Sequence, residues 1–197
     1  MKTLILIQFF ISFNVYSNVC QRNTQVVLAL EKNFKKNCAD ITTTQINNLK
    51  NLDLIKKDIK SLTADDFQGF SSLEWIRLAK NELSEIPENL FKNVPNLRFL
   101  GLSDNKITGL PLKIFEQNNK LEKINLDNNL ISDLPEDLFQ SSHLVTVFTI
   151  GANKLTSIPE KLFLDARQLN YLNLFENPIP KKQLLLLKNK YPKIQIY

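Results

Sequence analysis

Residues 73–96 read LEWIRLAKNELSEIPENLFKNVPN, and the same pattern returns every 24 residues. It continues as LRFLGLSDNKITGLPLKIFEQNNK from Leu97, LEKINLDNNLISDLPEDLFQSSHL from Leu121 and VTVFTIGANKLTSIPEKLFLDARQ from Val145. A partial copy, LNYLNLFENPIP, starts at Leu169, and a looser one, LKNLDLIKKDIKSLTADDFQGFSS, at Leu49. Asparagine holds the ninth position at Asn81, Asn105, Asn129, Asn153 and Asn177. Self-similarity at a fixed step predicts a solenoid, because a unit this short cannot bury its apolar side without neighbours.

Within each unit, the fourth and sixth positions are apolar: Ile76 and Leu78, Leu100 and Leu102, Ile124 and Leu126, Phe148 and Ile150, Leu172 and Leu174. This alternation predicts a short strand whose even positions point inward and whose third, fifth and seventh positions point outward. Proline at 87, 111, 135 and 159 cannot donate to a ladder, so an irregular return segment is expected there; Thr63 stands in its place in the first unit. Phe67, Phe91, Phe115, Phe139 and Phe163 recur at one step and predict an aromatic spine in the core.

The pattern L-x-x-L-x-L-x-x-N-x-L followed by L/I-P-x-x-L/I-F resembles the leucine-rich repeat family. The resemblance implies an α/β fold, a right-handed solenoid of 24-residue typical-type repeats with a curved parallel sheet on its concave face. It further implies an asparagine ladder, weaker at Lys57, and ligand binding on the concave sheet. Six parallel strands are expected, with a helical cap at each end.

The chain divides accordingly. Residues 1–17, MKTLILIQFFISFNVYS, carry a lysine, an apolar run and small residues at Val15 and Ser17, and read as a signal peptide. The run from Leu4 to Phe13 falls short of the ~20 residues of a membrane span. The alternatives at this end are a membrane anchor and a lipid-modified Cys20, for which Val19 is a poor preceding residue. Residues 18–48 read as an N-terminal cap. It holds both cysteines, Cys20 and Cys38, and an even count in an exported protein reads as one disulfide. The rival is a functional thiol pair, which lacks both C-x-x-C spacing and a neighbouring histidine. Thr24 is the expected cap of a helix carrying Val27, Leu28, Leu30 and Phe34, and Thr42 with Gln45 forms a capping-box pattern. The cap looks like that of small secreted bacterial leucine-rich repeat proteins. Residues 49–177 are the repeats. Residues 178–197 depart from the period: Pro180 opens a helix, Leu184 to Leu187 supply its apolar face, and Ile194 and Ile196 alternate like a last strand. This end resembles the C-terminal caps of such solenoids.

Composition narrows function. The net charge is +5, falling to +4 without Lys2, and no basic stripe points to nucleic acid. The single histidine, His143, sits in a return loop without a placed nucleophile, and four glycines form no phosphate loop. Asp104, Asp127 and Glu176 raise calcium as a thought, but they come one per turn rather than in a dedicated loop. The chain therefore reads as a non-enzyme without cofactor or metal.

What remains is the outward face of the sheet. Its third column is Asn51, Trp75, Phe99, Lys123, Val147, Tyr171, and Trp75 is the only tryptophan. Exposed aromatics side by side suggest an interface, and Trp, Tyr and Arg dominate interface energetics. The expected contacts are Trp75, Arg77 and Phe99, with Arg98 on the rim and Tyr171 with Phe175 as a second anchor. The expected partner is a protein, with a cell-surface glycan as the alternative. After removal of the leader, a secreted, periplasmic or extracellular protein without stable membrane insertion is expected.

Overall fold

The computed structural model describes residues 19–197. The leader at 1–17 and a mature start at Asn18 lie outside the described residues. The architecture is a right-handed leucine-rich repeat solenoid with a seven-stranded parallel sheet in sequential order. The strands are β1 (Asn51–Asp53), β2 (Trp75–Arg77), β3 (Phe99–Gly101), β4 (Lys123–Asn125), β5 (Val147–Thr149), β6 (Tyr171–Asn173) and β7 (Gln195–Ile196). Every partner is displaced by one repeat: Trp75 opposes Phe99, and Phe99 opposes Lys123. The six strands expected are thus joined by a seventh, which the Ile194–Ile196 alternation foreshadowed.

The ladder explains why the register never slips. Asn129 donates from Nδ2 to Leu126 O in its own turn and to Leu102 O in the turn before, both at 3.0 Å. Its Oδ1 accepts from Ile107 N–H at 3.0 Å. Asn105 and Asn153 repeat this set with their own neighbours, and Asn177 does so at the last repeat. Each asparagine so gives one buried N–H its partner and shares two carbonyls with the asparagines of the adjacent turns, which links the turns into one ladder. At the first unit Lys57 holds the ninth position, and its N–H donates to Asn81 Oδ1 at 2.9 Å.

Turning the asparagine inward has a backbone cost that the sequence does not announce. The residue before the ninth position is left-handed in every unit, the first with its Lys57 included: Lys56, Lys80, Asp104, Asn128, Ala152 and Glu176 have φ between 51° and 59°. None is glycine, so each turn carries strain on the order of 1 kcal/mol.

The phenylalanine spine is buried throughout. Phe67–Phe91, Phe91–Phe115 and Phe139–Phe163 stack with ring centroids 6.0–6.2 Å apart. Below it runs a second buried column, Phe70, Val94, Asn118, Ser142 and Ala166. Two of its members are polar. Asn118 donates to Phe91 O at 3.0 Å and Val94 O at 2.9 Å, a side-chain bridge that its sequence context did not signal. Thr63, in place of proline, caps a 3-10 turn with Asp66: its N–H donates to Asp66 Oδ2 at 2.7 Å.

The N-terminal segment holds helices α1 (Thr24–Phe34) and α2 (Thr43–Asn48), and Cys20 is bonded to Cys38. The cap of α1 is Asn23, not Thr24; Asn23 Oδ1 accepts from Gln25 N–H at 2.9 Å. The fully buried stripe of α1 is Val26 and Leu30, four apart, whereas Leu28 is 50% exposed. Thr42 and Gln45 form the expected capping box on α2. A buried Arg22 ties this segment to the first repeat, donating to Asp66 O at 2.8 Å and Gln68 O at 2.6 Å. Burial lowers the pKa of its guanidinium, against the pull of Asp66 and Asp65. At the other end, α3 (Lys181–Lys190) follows Pro180. Leu184 and Leu187 pack against the core, but Leu185 and Leu186 are exposed, so only half the leucine run serves as the apolar face.

Asn129→Ala leaves Ile107 N–H without a partner and takes from Leu102 O and Leu126 O one of the two amide donors each accepts, Asn105 and Asn153 being the others; it should cost about 1–3 kcal/mol in denaturant titration. Lys106→Ala, which removes only an exposed ion pair with Glu82, should cost under ~0.5 kcal/mol. Equal losses would contradict the ladder's role.

Candidate recognition surface

The outward columns of β2–β6 form the candidate surface. Trp75 and Phe99, opposed in register, stack with centroids 5.0 Å apart and planes inclined by 27°. Each is half-buried rather than fully in water, because each ring covers part of the other. Phe99 also leans over Gly101, where a Cβ would come within 3.1 Å of Phe99 Cε1. Glycine at 101 is what lets that ring lie flat along the sheet. Arg77 stands beside the pair with Cζ 5.8 Å from the Trp75 ring centroid. Its guanidinium lies 3.6 Å from Asp53, on an exposed site where such a pair is weak. Arg77 is therefore free to exchange partners.

Arg98 is differently placed. It donates from Nε and Nη2 to Glu122 at 2.9 and 2.7 Å and lies 3.9 Å from Glu74. Glu74 in turn accepts from Lys50 Nζ at 3.0 Å. Lys50, Glu74, Arg98 and Glu122 thus alternate in sign along the rim, one per turn. The Lys50 ammonium holds the Glu74 carboxyl below its ordinary value. Arg98 is engaged in this row, unlike Arg77.

The second aromatic group is larger than the sequence indicated. Tyr171 lies 5.3 Å, centroid to centroid, from Tyr197, which is itself exposed. Phe175, 65% exposed, is the most open large apolar side chain of the strand columns. Tyr197 follows the non-periodic cap, and only the strand-like spacing of Ile194 and Ile196 signals its place next to β6. The two groups are four strands apart, roughly 19 Å at the usual spacing.

Between them the surface is polar and organised around Asp127. Asp127 Oδ1 accepts from Gly151 N–H at 2.6 Å and from Asn173 Nδ2 at 3.3 Å. A side chain at 151 would collide with Asn173 Nδ2, so Gly151 keeps that contact open. Burial pushes the Asp127 carboxyl above its ordinary value, and nearby Asp104 adds to the shift. His143 is exposed, with Nδ1 3.1 Å from Asp165 O. Among the described residues, no group of three or more His, Cys, Asp or Glu side chains gathers as a metal site would.

The family pattern for a BspA type leucine rich repeat region matches in six copies over residues 36–170. The chain belongs to the leucine-rich repeat family. A leucine-rich repeat protein of Leptospira interrogans is 29% identical, with a TM-score of 0.71; the match covers 78% of this chain and 38% of that one. A chain of the Drosophila Toll–Spatzle complex, a hub in development and innate immunity, is 30% identical with a TM-score of 0.57, covering 62% of this chain and 16% of that one. The leucine-rich repeat domain of APL1B, 23% identical with a TM-score of 0.62, shares the fold over 68% of this chain and 40% of its own. This leucine-rich repeat chain thus spans well under half the length of each. No curated protein matches it. Leucine-rich repeat folds are commonly protein-interaction scaffolds and typically non-enzymatic.

The raised Asp127 pKa fixes the sign of a pH effect. The folded chain binds this proton more tightly than the unfolded chain, so Asp127's contribution is most favourable at low pH. It falls as pH rises from the unfolded towards the folded pKa. In thermal melts Asp127→Asn should therefore gain on the parent as pH rises above the ordinary carboxylate range, about 4. A gain that does not grow with pH would contradict the assignment.

Proposed function

We propose that this chain is an exported, non-enzymatic recognition module that binds a protein partner through the concave face of its solenoid. The observation that carries the reading is the stacked, half-exposed Trp75–Phe99 pair with Arg77 alongside. Aromatic rings held rigid by each other lose little entropy on binding, and an arginine in a weak exposed ion pair can be recruited by a partner's carboxylate. Tyr171 and Phe175 serve as the second anchor, with Tyr197 added to it; Arg98 contributes through the rim's charge row. One globular partner can span both groups. The Toll–Spatzle complex supports the reading only as an example of a related fold found in a complex.

Export rests on the 17-residue leader pattern and agrees with the Cys20–Cys38 bridge and with the lack of any membrane-spanning helix among the described residues. The division into leader (1–17), disulfide cap (18–48), repeats (49–177) and C-terminal cap (178–197) belongs to the same proposal.

The test is affinity capture from the exported fraction with the oxidised chain as bait, followed by titration of the captured protein. Trp75→Ala should weaken binding by about 2 kcal/mol or more while unfolding stays cooperative. Lys161→Ala, on the exposed return loops, should leave affinity unchanged. Undiminished binding by a folded Trp75, Phe99 and Tyr171 triple alanine variant would move the site elsewhere. Capture of glycan instead of protein would favour carbohydrate recognition on the same rings.

A further inference from the structure

Among the described residues the sheet has an open edge at its N-terminal end. β1 pairs only with β2. Its bonds to β2 come from alternate residues: Lys50 O accepts from Trp75 N–H at 3.0 Å, and Leu54 N–H donates to Arg77 O at 2.8 Å. Lys56 N–H continues this to Ala79 O at 3.1 Å. The main-chain groups of Asn51 and Asp53 alternate with these and so face away from β2. In the next turn the equivalent groups are all used: Trp75 N–H, Arg77 O and Ala79 O bond to the strand before them. At β1 the described residues supply no strand before it. An open strand edge is a template for another extended chain.

Beside that edge lies a groove of about 860 Å³ whose other wall is α1. Leu28, Ala29 and Lys32 face it from the helix, and Asp53, Ile55 and Lys57 from the strand side. The helix thus leaves its half-exposed Leu28 turned towards the edge instead of covering it. Charge selects the occupant. The one carboxylate among these six is Asp53, which faces Arg77 at 3.6 Å. Lys32 and Lys57 have no ion pair among the described residues, so the groove favours acidic side chains. A second copy of this chain would bring the same lysines and the same helix against themselves, whereas a single extended segment fits between helix and strand.

We propose that the groove between α1 and β1 is a strand-acceptor site, in which an extended partner segment of alternating apolar and acidic residues adds to the sheet at Asn51 and Asp53. Main-chain hydrogen bonds supply register, Leu28 and Ile55 take the apolar side chains, and Lys32 and Lys57 take the carboxylates. The site is separate from the concave aromatics and stands or falls without them.

The probe is an acetylated, amidated heptapeptide of alternating valine and glutamate, added to the isotope-labelled, disulfide-intact chain and followed by amide resonances. At saturation, exchange of the Asn51 and Asp53 amides should slow by at least ~tenfold, with shifts centred on β1 and α1. A valine–lysine analogue should bind at least ~tenfold more weakly, as should the valine–glutamate peptide to Leu28→Glu or, separately, Lys32→Glu. Both substitutions are at exposed positions, so each variant reports on the groove and not on folding. Unchanged exchange at Asn51 and Asp53, no binding at all, or equal affinity for the lysine analogue would overturn the proposal. Shifts confined to Trp75 and Phe99 would overturn it too, while leaving the concave-face reading intact.

Discussion

The asparagine ladder is the constraint on which the rest depends. A turn of 24 residues must reverse direction twice inside a packed stack, and each reversal buries main-chain polar groups that the parallel sheet cannot reach. One primary amide per turn resolves this by donating to two carbonyls and accepting from one N–H, across two adjacent turns. The residue before the ninth position accepts left-handed backbone in six successive units without glycine, five of them presenting the amide and the first presenting Lys57. Such strain persists only where surrounding contacts over-determine the conformation. The ladder bonds, the strand register and the phenylalanine spine are those contacts, and they recur at the same step.

Once the ladder fixes the step, the faces follow. Side chains at the even strand positions and the Phe67-to-Phe163 row must pack, because successive turns leave them no access to water. Odd strand positions are released from packing and vary freely, from Trp75 to Lys123 to Thr149. A surface that varies over a scaffold that does not is what a recognition module needs. It also explains the two glycines of the outward columns. Gly101 and Gly151 are places where a neighbour, Phe99 or the Asp127–Asn173 pair, lies across the strand.

Legibility in the sequence followed the same division. Positions that repeat share one environment by translation, so the spine and the strand register could be read from the period, and the ladder from the recurring asparagines together with the family resemblance. Where translation stops, so did the reading. At the N-terminal end Asn23 rather than Thr24 caps α1, because Asn23 also bonds across to Ser61 O at 3.0 Å in the first repeat. Leu28 was expected among the helix's apolar residues, yet Val26 and Leu30 do the packing and Leu28 faces the groove. At the C-terminal end a single turn of stack can bury one side of a helix, so Leu185 and Leu186 stay exposed. Arg98 and Tyr197 show a further limit: whether a charge is spent on a neighbour one turn away, or a ring meets another across a strand, depends on lateral pairs that no single repeat contains.

The central claim, that one amide per turn holds the stack, is tested most directly by native-state hydrogen exchange at Leu83, Ile107, Ile131 and Leu155. Their N–H groups are bonded only to the ladder asparagines, at 3.0–3.1 Å. The account predicts that these four amides exchange in the slowest class, together with those of the central strands. Exchange as fast as that of the return-loop amides, with the strands still protected, would show that the sheet stands without the ladder.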